Sequence, residues 1–118
     1  MALYVDGFVL TVPRDNVSAY RKLATKAGKI WKEYGALDYI ECVADDVKPG
    51  KWTSFQQSVK LKANETVVFA WIVYKSRKDR DRINALVIKD PRMQHGPEAE
   101  VFDGKRMIYG GFKTIVEL

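Results

Sequence analysis

The sequence predicts an α+β domain of the ferredoxin-like type, a β-α-β-β-α-β sandwich with an extra short strand, which dimerisation turns into a dimeric α/β barrel. Three observations carry this. Two helical stripes alternate with β-prone runs in the order strand, helix, strand, short strand, strand, helix, strand. The run Val67 to Tyr74 is apolar on both faces, whereas two helices cover only one face of a four-stranded antiparallel sheet. The missing cover must come from another molecule, so the chain is expected to be a homodimer whose two sheets pack face to face. At 118 residues the whole chain, 1–118, is one domain.

The first strand is Leu3 to Val12, rich in β-prone residues and ended by Pro13, which cannot donate to a ladder. Alternation puts Asp6 on one face with Tyr4, Phe8, Leu10 and Val12, so a buried Asp6 needs a partner. A helix follows, capped by Asp15 or Asn16 and ended by Gly35 in the left-handed conformation. Val17, Tyr20, Leu23, Ala24, Ala27, Ile30, Trp31 and Tyr34 form its inward stripe. Leu37 to Ala44 is the second strand, with Tyr39, Glu41 and Val43 on one face and Ile40 and Cys42 on the other. Cys42 reads as a small buried filler.

Phe55, Gln57, Val59 and Leu61 alternate with polar residues and read as the extra strand, turned by Ala63-Asn64-Glu65 into the strand Thr66 to Tyr74. Ser76 caps the second helix, whose inward residues are Ile83, Leu86 and Val87, with Asn84 at the apolar boundary. Pro91 closes it. An irregular segment, Arg92 to Val101, leads to a last strand, Arg106 to Val116. Its glycine pair, Gly110-Gly111, marks a bulge or a close approach to the backbone, and this strand is expected beside the first.

The composition, 47% hydrophobic and 30% charged, is that of a globular chain. No segment is long and apolar enough for a membrane span, and the N-terminus lacks a signal-peptide pattern, so a cytoplasmic location is expected. Cys42, the sole cysteine, excludes an internal disulfide and a cysteine-cluster metal site. Of the net charge of +5, residues 14–33 and 75–92 each supply a surplus of cations. Such a surplus reads first as solvated helix faces and second as weak RNA binding; specific nucleic-acid recognition is not expected, because the aromatics lie on apolar stripes and do not interleave with cations.

The stretches Tyr4-Val5-Asp6-Gly7-Phe8, Val68-Phe69-Ala70-Trp71-Ile72, Arg80-Asp81, Asp90-Pro91-Arg92-Met93 and the long run Phe102 to Phe112 resemble the YbaA-like bacterial family of unknown function. The resemblance runs essentially end to end. It implies the dimeric α/β-barrel fold and no assigned catalytic residue.

Strong catalytic signatures are absent. Gly104-Lys105 lacks the upstream glycine and following Ser or Thr of a phosphate loop, and neither HExxH nor GxSxG occurs. No cofactor or metal is expected. The chemistry-bearing residues that remain are Asp6, Glu41, Trp71, Arg92, His95, Arg106 and Tyr109. An aromatic wall with one or two charges suits a small organic ligand in a barrel cavity, with Arg106 as a carboxylate fork and Tyr109 as a donor. The competing structural reading pairs Arg106 with Asp6 or Asp103 and leaves the aromatics as packing. A cofactor-free oxygenase or isomerase is the alternative reached by fold analogy.

Overall fold

A computed structural model describes residues 2–94 and 101–118 of the chain. Its sheet has four antiparallel strands, β1 (Tyr4–Pro13), β2 (Asp38–Val43), β3 (Glu65–Tyr74) and β4 (Ile108–Lys113), in the order β2-β3-β1-β4. This is the ferredoxin-like arrangement. Helices α1 (Val17–Tyr34) and α3 (Arg77–Lys89) lie on one face.

The alternation expected for the first, second and Thr66 to Tyr74 strands is the one observed. Asp6 pairs opposite Ile72 and Gly111, and Phe8 opposite Ala70 and Tyr109, so the even-numbered residues of β1 and β3 face the helices. The odd-numbered residues of β3, among them Phe69 and Trp71, point the other way. First and last strands are neighbours, and beyond β4 the Thr114 amide donates to the Leu3 carbonyl at 3.0 Å.

Gly35 ends α1 with φ 118°, a conformation that favours glycine. Ser76 caps α3 by accepting from the Asp79 amide at 3.1 Å. Asn16 holds the N-cap position of α1, but its side chain makes no capping bond. A single 3-10 turn, Arg14–Asn16, precedes that helix, and the Asn16 side chain donates instead to the Val101 carbonyl.

Several expectations are overturned. The extra strand is a helical turn, α2 (Phe55–Ser58), with Ser54 accepting from the Gln57 amide. Phe55 and Val59, read as strand neighbours two steps apart, are also an i, i+4 pair, and over so short a stretch the two periods coincide. Lys60 at φ 52° then breaks any extended path, so no hairpin precedes β3. The last strand covers Ile108–Lys113 alone. Leu86 is exposed, and so is Cys42, on the sheet face opposite α1 and α3, where among the described residues no full second layer covers it. The barrel is expected of two chains and not of one, and the sheet of this chain is open.

The core under the helices splits into two clusters. One joins Ile30, Ala36, Ile72, Tyr74, Ile83 and Val87; the other joins Leu10, Val12 and Val68; Phe8 packs against both. The glycine pair marks close approach without a bulge. β4 keeps continuous register with β1, and a Cβ on Gly111 would collide with the Tyr4 ring.

Candidate functional site

Between the two core clusters lies a cavity of about 760 Å³ beneath α1, within the size range of small-molecule sites. Small side chains make the room: Ala24 and Ala27 on α1 face Ala70 on β3. Phe8, Tyr20, Trp31, Tyr39 and Phe102 supply aromatic walls. Tyr20 and Phe102 meet edge to face at 5.5 Å, and the Trp31 and Tyr39 rings lie 6.0 Å apart. Glu41 is the one charged residue among the described residues of this lining.

Glu41 is held by two phenols. The Tyr20 hydroxyl donates to Oε1, and the Tyr39 hydroxyl donates to Oε2 at 2.7 Å. Burial first, and the neighbouring carboxylate second, hold both phenols far above their ordinary pKa. They therefore stay protonated, as donors, and Glu41 is the acceptor. The same three residues border a second, outer groove of about 1100 Å³ between α1 and β2, where Arg21, Lys29 and Lys32 stand. The tyrosine and glutamate cluster thus sits at the junction of an inner aromatic cavity and an outer polar groove.

Gly28 explains why Tyr39 can reach this position. It is buried in the middle of α1, where glycine costs about 1 kcal/mol relative to alanine. A Cβ there would stand 2.6 Å from Tyr39 Cδ1 and 2.7 Å from Cε1. The bare helix backbone lets the ring lie against it, and that placement delivers the hydroxyl to Glu41.

Of the residues singled out from the sequence, Glu41 and Trp71 border the cavity. The Trp71 ring packs against Phe69, 5.6 Å away, on the opposite face. Asp6, 5% exposed, is buried under α3. Arg80 donates to its Oδ1 at 2.9 Å, and Asn84 to its Oδ2 at 3.3 Å. The partner of Asp6 is therefore Arg80 and not Arg106. Asn84 Oδ1 accepts in turn from Tyr74 at 2.8 Å and from Trp31 Nε1 at 3.0 Å, which explains the core role of Trp31.

Arg106 is committed elsewhere. It forks onto Glu65 at 2.8 and 2.5 Å and donates to Asp103 at 2.9 Å. No fork remains for a ligand carboxylate. That guanidinium, with help from the Lys62 amide, holds the Glu65 carboxyl down to about 2. Arg92 bridges Asp90 and Glu33, and together with the Tyr34 hydroxyl it holds the Asp90 carboxyl well below the usual carboxylate range. Tyr109, 72% exposed, stacks on Phe8 at 6.3 Å and lines no part of the cavity. His95 lies outside the described residues.

Sequence reasoning assigned Tyr20 and Tyr39 to an apolar stripe and a strand face, and passed over Gly28. The signal was present: a glycine at the centre of an amphipathic helix needs a packing reason.

Fold and site together define a small ferredoxin-like protein with α1 and α3 on one sheet face and an aromatic cavity that holds one carboxylate among its described residues. A family model described as "Protein of unknown function (DUF1428)" matches residues 3–104, and the chain belongs to that family. It is 53% identical over 114 residues to "Uncharacterized protein YbaA" of Escherichia coli (strain K12), with 97% of each chain covered, and equally to that of Shigella flexneri. The YbaA-like resemblance is thereby established. Among solved structures, a dimeric ferredoxin-like protein from an uncultured marine organism superposes over all of both chains with a TM-score of 0.61 at 12% identity. That likeness supports the fold.

Proposed function

We propose that this protein is a small cytoplasmic ligand-binding protein that works as a homodimer and holds a small organic molecule in the cavity beneath α1. The observation that carries the reading is the cavity itself: about 760 Å³, aromatic-walled, with one oriented carboxylate. A packing defect would not gather two phenols onto that carboxylate.

The dimer is supported by the open sheet face. Ile40, Phe69, Ile108 and Phe112 are exposed there, Phe69 by 43% and Phe112 by 65%, with Phe55 against Phe69. Contiguous apolar surface of this kind is a partner surface. Self-stacking of two such sheets produces the dimeric α/β barrel, an assembly that no single chain makes. A fold neighbour at TM-score 0.61 is described as dimeric.

Native mass spectrometry of protein purified gently from cytoplasm tests both parts. A dimer carrying a reproducible small adduct is the expected result, and Phe69→Asp should yield a monomer that keeps its helices. A stable 13.5 kDa monomer at micromolar concentration refutes the stacking. Conversion of the adduct on incubation in air would move the assignment to the oxygenase or isomerase class.

A further inference from the structure

We propose that the cavity beneath α1 selects an organic cation, an amine or quaternary ammonium on an apolar body, with Glu41 as its counter-charge. This rests on the cavity reading above and specifies the chemical class of its ligand.

The argument begins with how this chain treats its other acids. Asp6, Glu65 and Asp90 are all buried, and each faces an arginine within hydrogen-bond distance: Arg80, Arg106 and Arg92. Among the described acids that are not exposed, Glu41 is the exception. Half-buried in an aromatic lining, it accepts from two neutral phenols, and among the described residues no Lys or Arg forms an ion pair with it. In a chain with 20 Lys and Arg against 15 acids, leaving this carboxylate without a cation is not for want of cations. Lys32, at the outer groove, spends its Nζ on the Leu37 carbonyl at 2.6 Å.

The phenols orient the carboxylate without neutralising it. Each carboxylate oxygen accepts more than one hydrogen bond, so capacity remains after Tyr20 and Tyr39 have donated. The surrounding rings add a second attraction, since an ammonium over an aromatic face gains from the ring quadrupole, more so when desolvated. Phe8, Trp31 and Phe102 supply such faces in addition to the two tyrosines. An anionic ligand in the inner cavity meets the opposite conditions, a like charge at Glu41 and, among the described residues of the lining, no guanidinium to receive it, since Arg21 and Lys29 stand in the outer groove. The organic acid expected from Arg106 and Tyr109 is therefore the wrong class for this cavity.

The test uses the full chain at pH 7 and three matched probes, 3-phenylpropylamine, 3-phenylpropanol and 3-phenylpropionate, repeated on butyl and naphthylmethyl bodies. Affinities come from calorimetry, and occupancy of the cavity from the Trp31 indole resonance. The amine should bind about tenfold or more tightly than the alcohol, and the carboxylate weakest of all. Glu41→Gln should remove the amine's advantage over the alcohol, with an unchanged urea midpoint and Trp31 resonance in the free protein showing that the variant is folded. If the alcohol perturbs Trp31 and binds as well as the amine, the cavity stands and the cation assignment is overturned. If no probe on any body perturbs Trp31, the cavity reading falls and takes the cation assignment with it.

Discussion

Replacing Gly28 by alanine sets two effects of opposite sign against each other. In an unhindered helix interior the change gains about 1 kcal/mol from helix propensity, and Gly28 has ordinary helical φ, so the backbone does not object. The new Cβ, however, would stand 2.6 Å from the Tyr39 ring, where ordinary contact begins near 3.4 Å. The ring must retreat by about 1 Å, and a retreat of that size takes the 2.7 Å bond from Tyr39 to Glu41 beyond hydrogen-bond length. Overpacking of this sort costs about 1–3 kcal/mol. The expected net result is a loss of about 1 kcal/mol in urea denaturation. In a Tyr39→Ala background the obstacle is gone, and the same substitution should stabilise by about 1 kcal/mol. The sign reversal, a coupling of about 2 kcal/mol, is the signature of a glycine kept for one ring. Equal effects in the two backgrounds would refute the reasoning that Gly28 positions Tyr39.

Acid stability should carry the mark of Glu65. Its carboxyl is held at about 2 in the folded chain against about 4.5 when free, chiefly by the Arg106 hydrogen bonds. A depressed folded pKa stabilises above the unfolded value, so about 3 kcal/mol present at pH 6 should be lost as the pH falls from 4.5 towards 2. Glu65→Gln should flatten urea midpoints measured across that window, and an unchanged slope would contradict the assignment. Asp6→Ala leaves the Arg80 guanidinium, whose side chain is only 20% exposed, without its buried counter-charge and with the exposed Asp81 as its remaining ion-pair partner. It should cost about 3 kcal/mol by thermal or urea unfolding, and a loss below about 1 kcal/mol would mean that Arg80 escapes to solvent as a surface ion would.

Much of this molecule is legible in its residue order because the informative patterns are local. Strand alternation has a period of two, so Tyr4, Asp6, Phe8 and Leu10 declare their common face without knowledge of any partner. Gly35 and Ser76 end and begin helices through bonds that span three to five residues. The doubly apolar β3 announces that both sheet faces need cover, even though only one is covered by this chain. Local pattern misleads at Phe55–Ser58, where four residues fit either period and the Ser54 cap and Lys60 backbone decide.

Charge partners belong to the tertiary structure. Arg80 and Arg106 are equally good candidates for Asp6 by chemistry, and only the packing of α3 over β1 selects Arg80, 74 residues away. The same packing spends Arg106 on Glu65, removing the one fork the sequence offered to an acidic ligand. Residue order determined the strands, the helix stripes and the bare sheet face, since each follows from neighbours a few positions apart. The unpaired Glu41, its two phenols and the room that three alanines and Gly28 leave around it were decided only when α1 crossed the sheet, because an ion's partner and a cavity's volume are properties of distance in space.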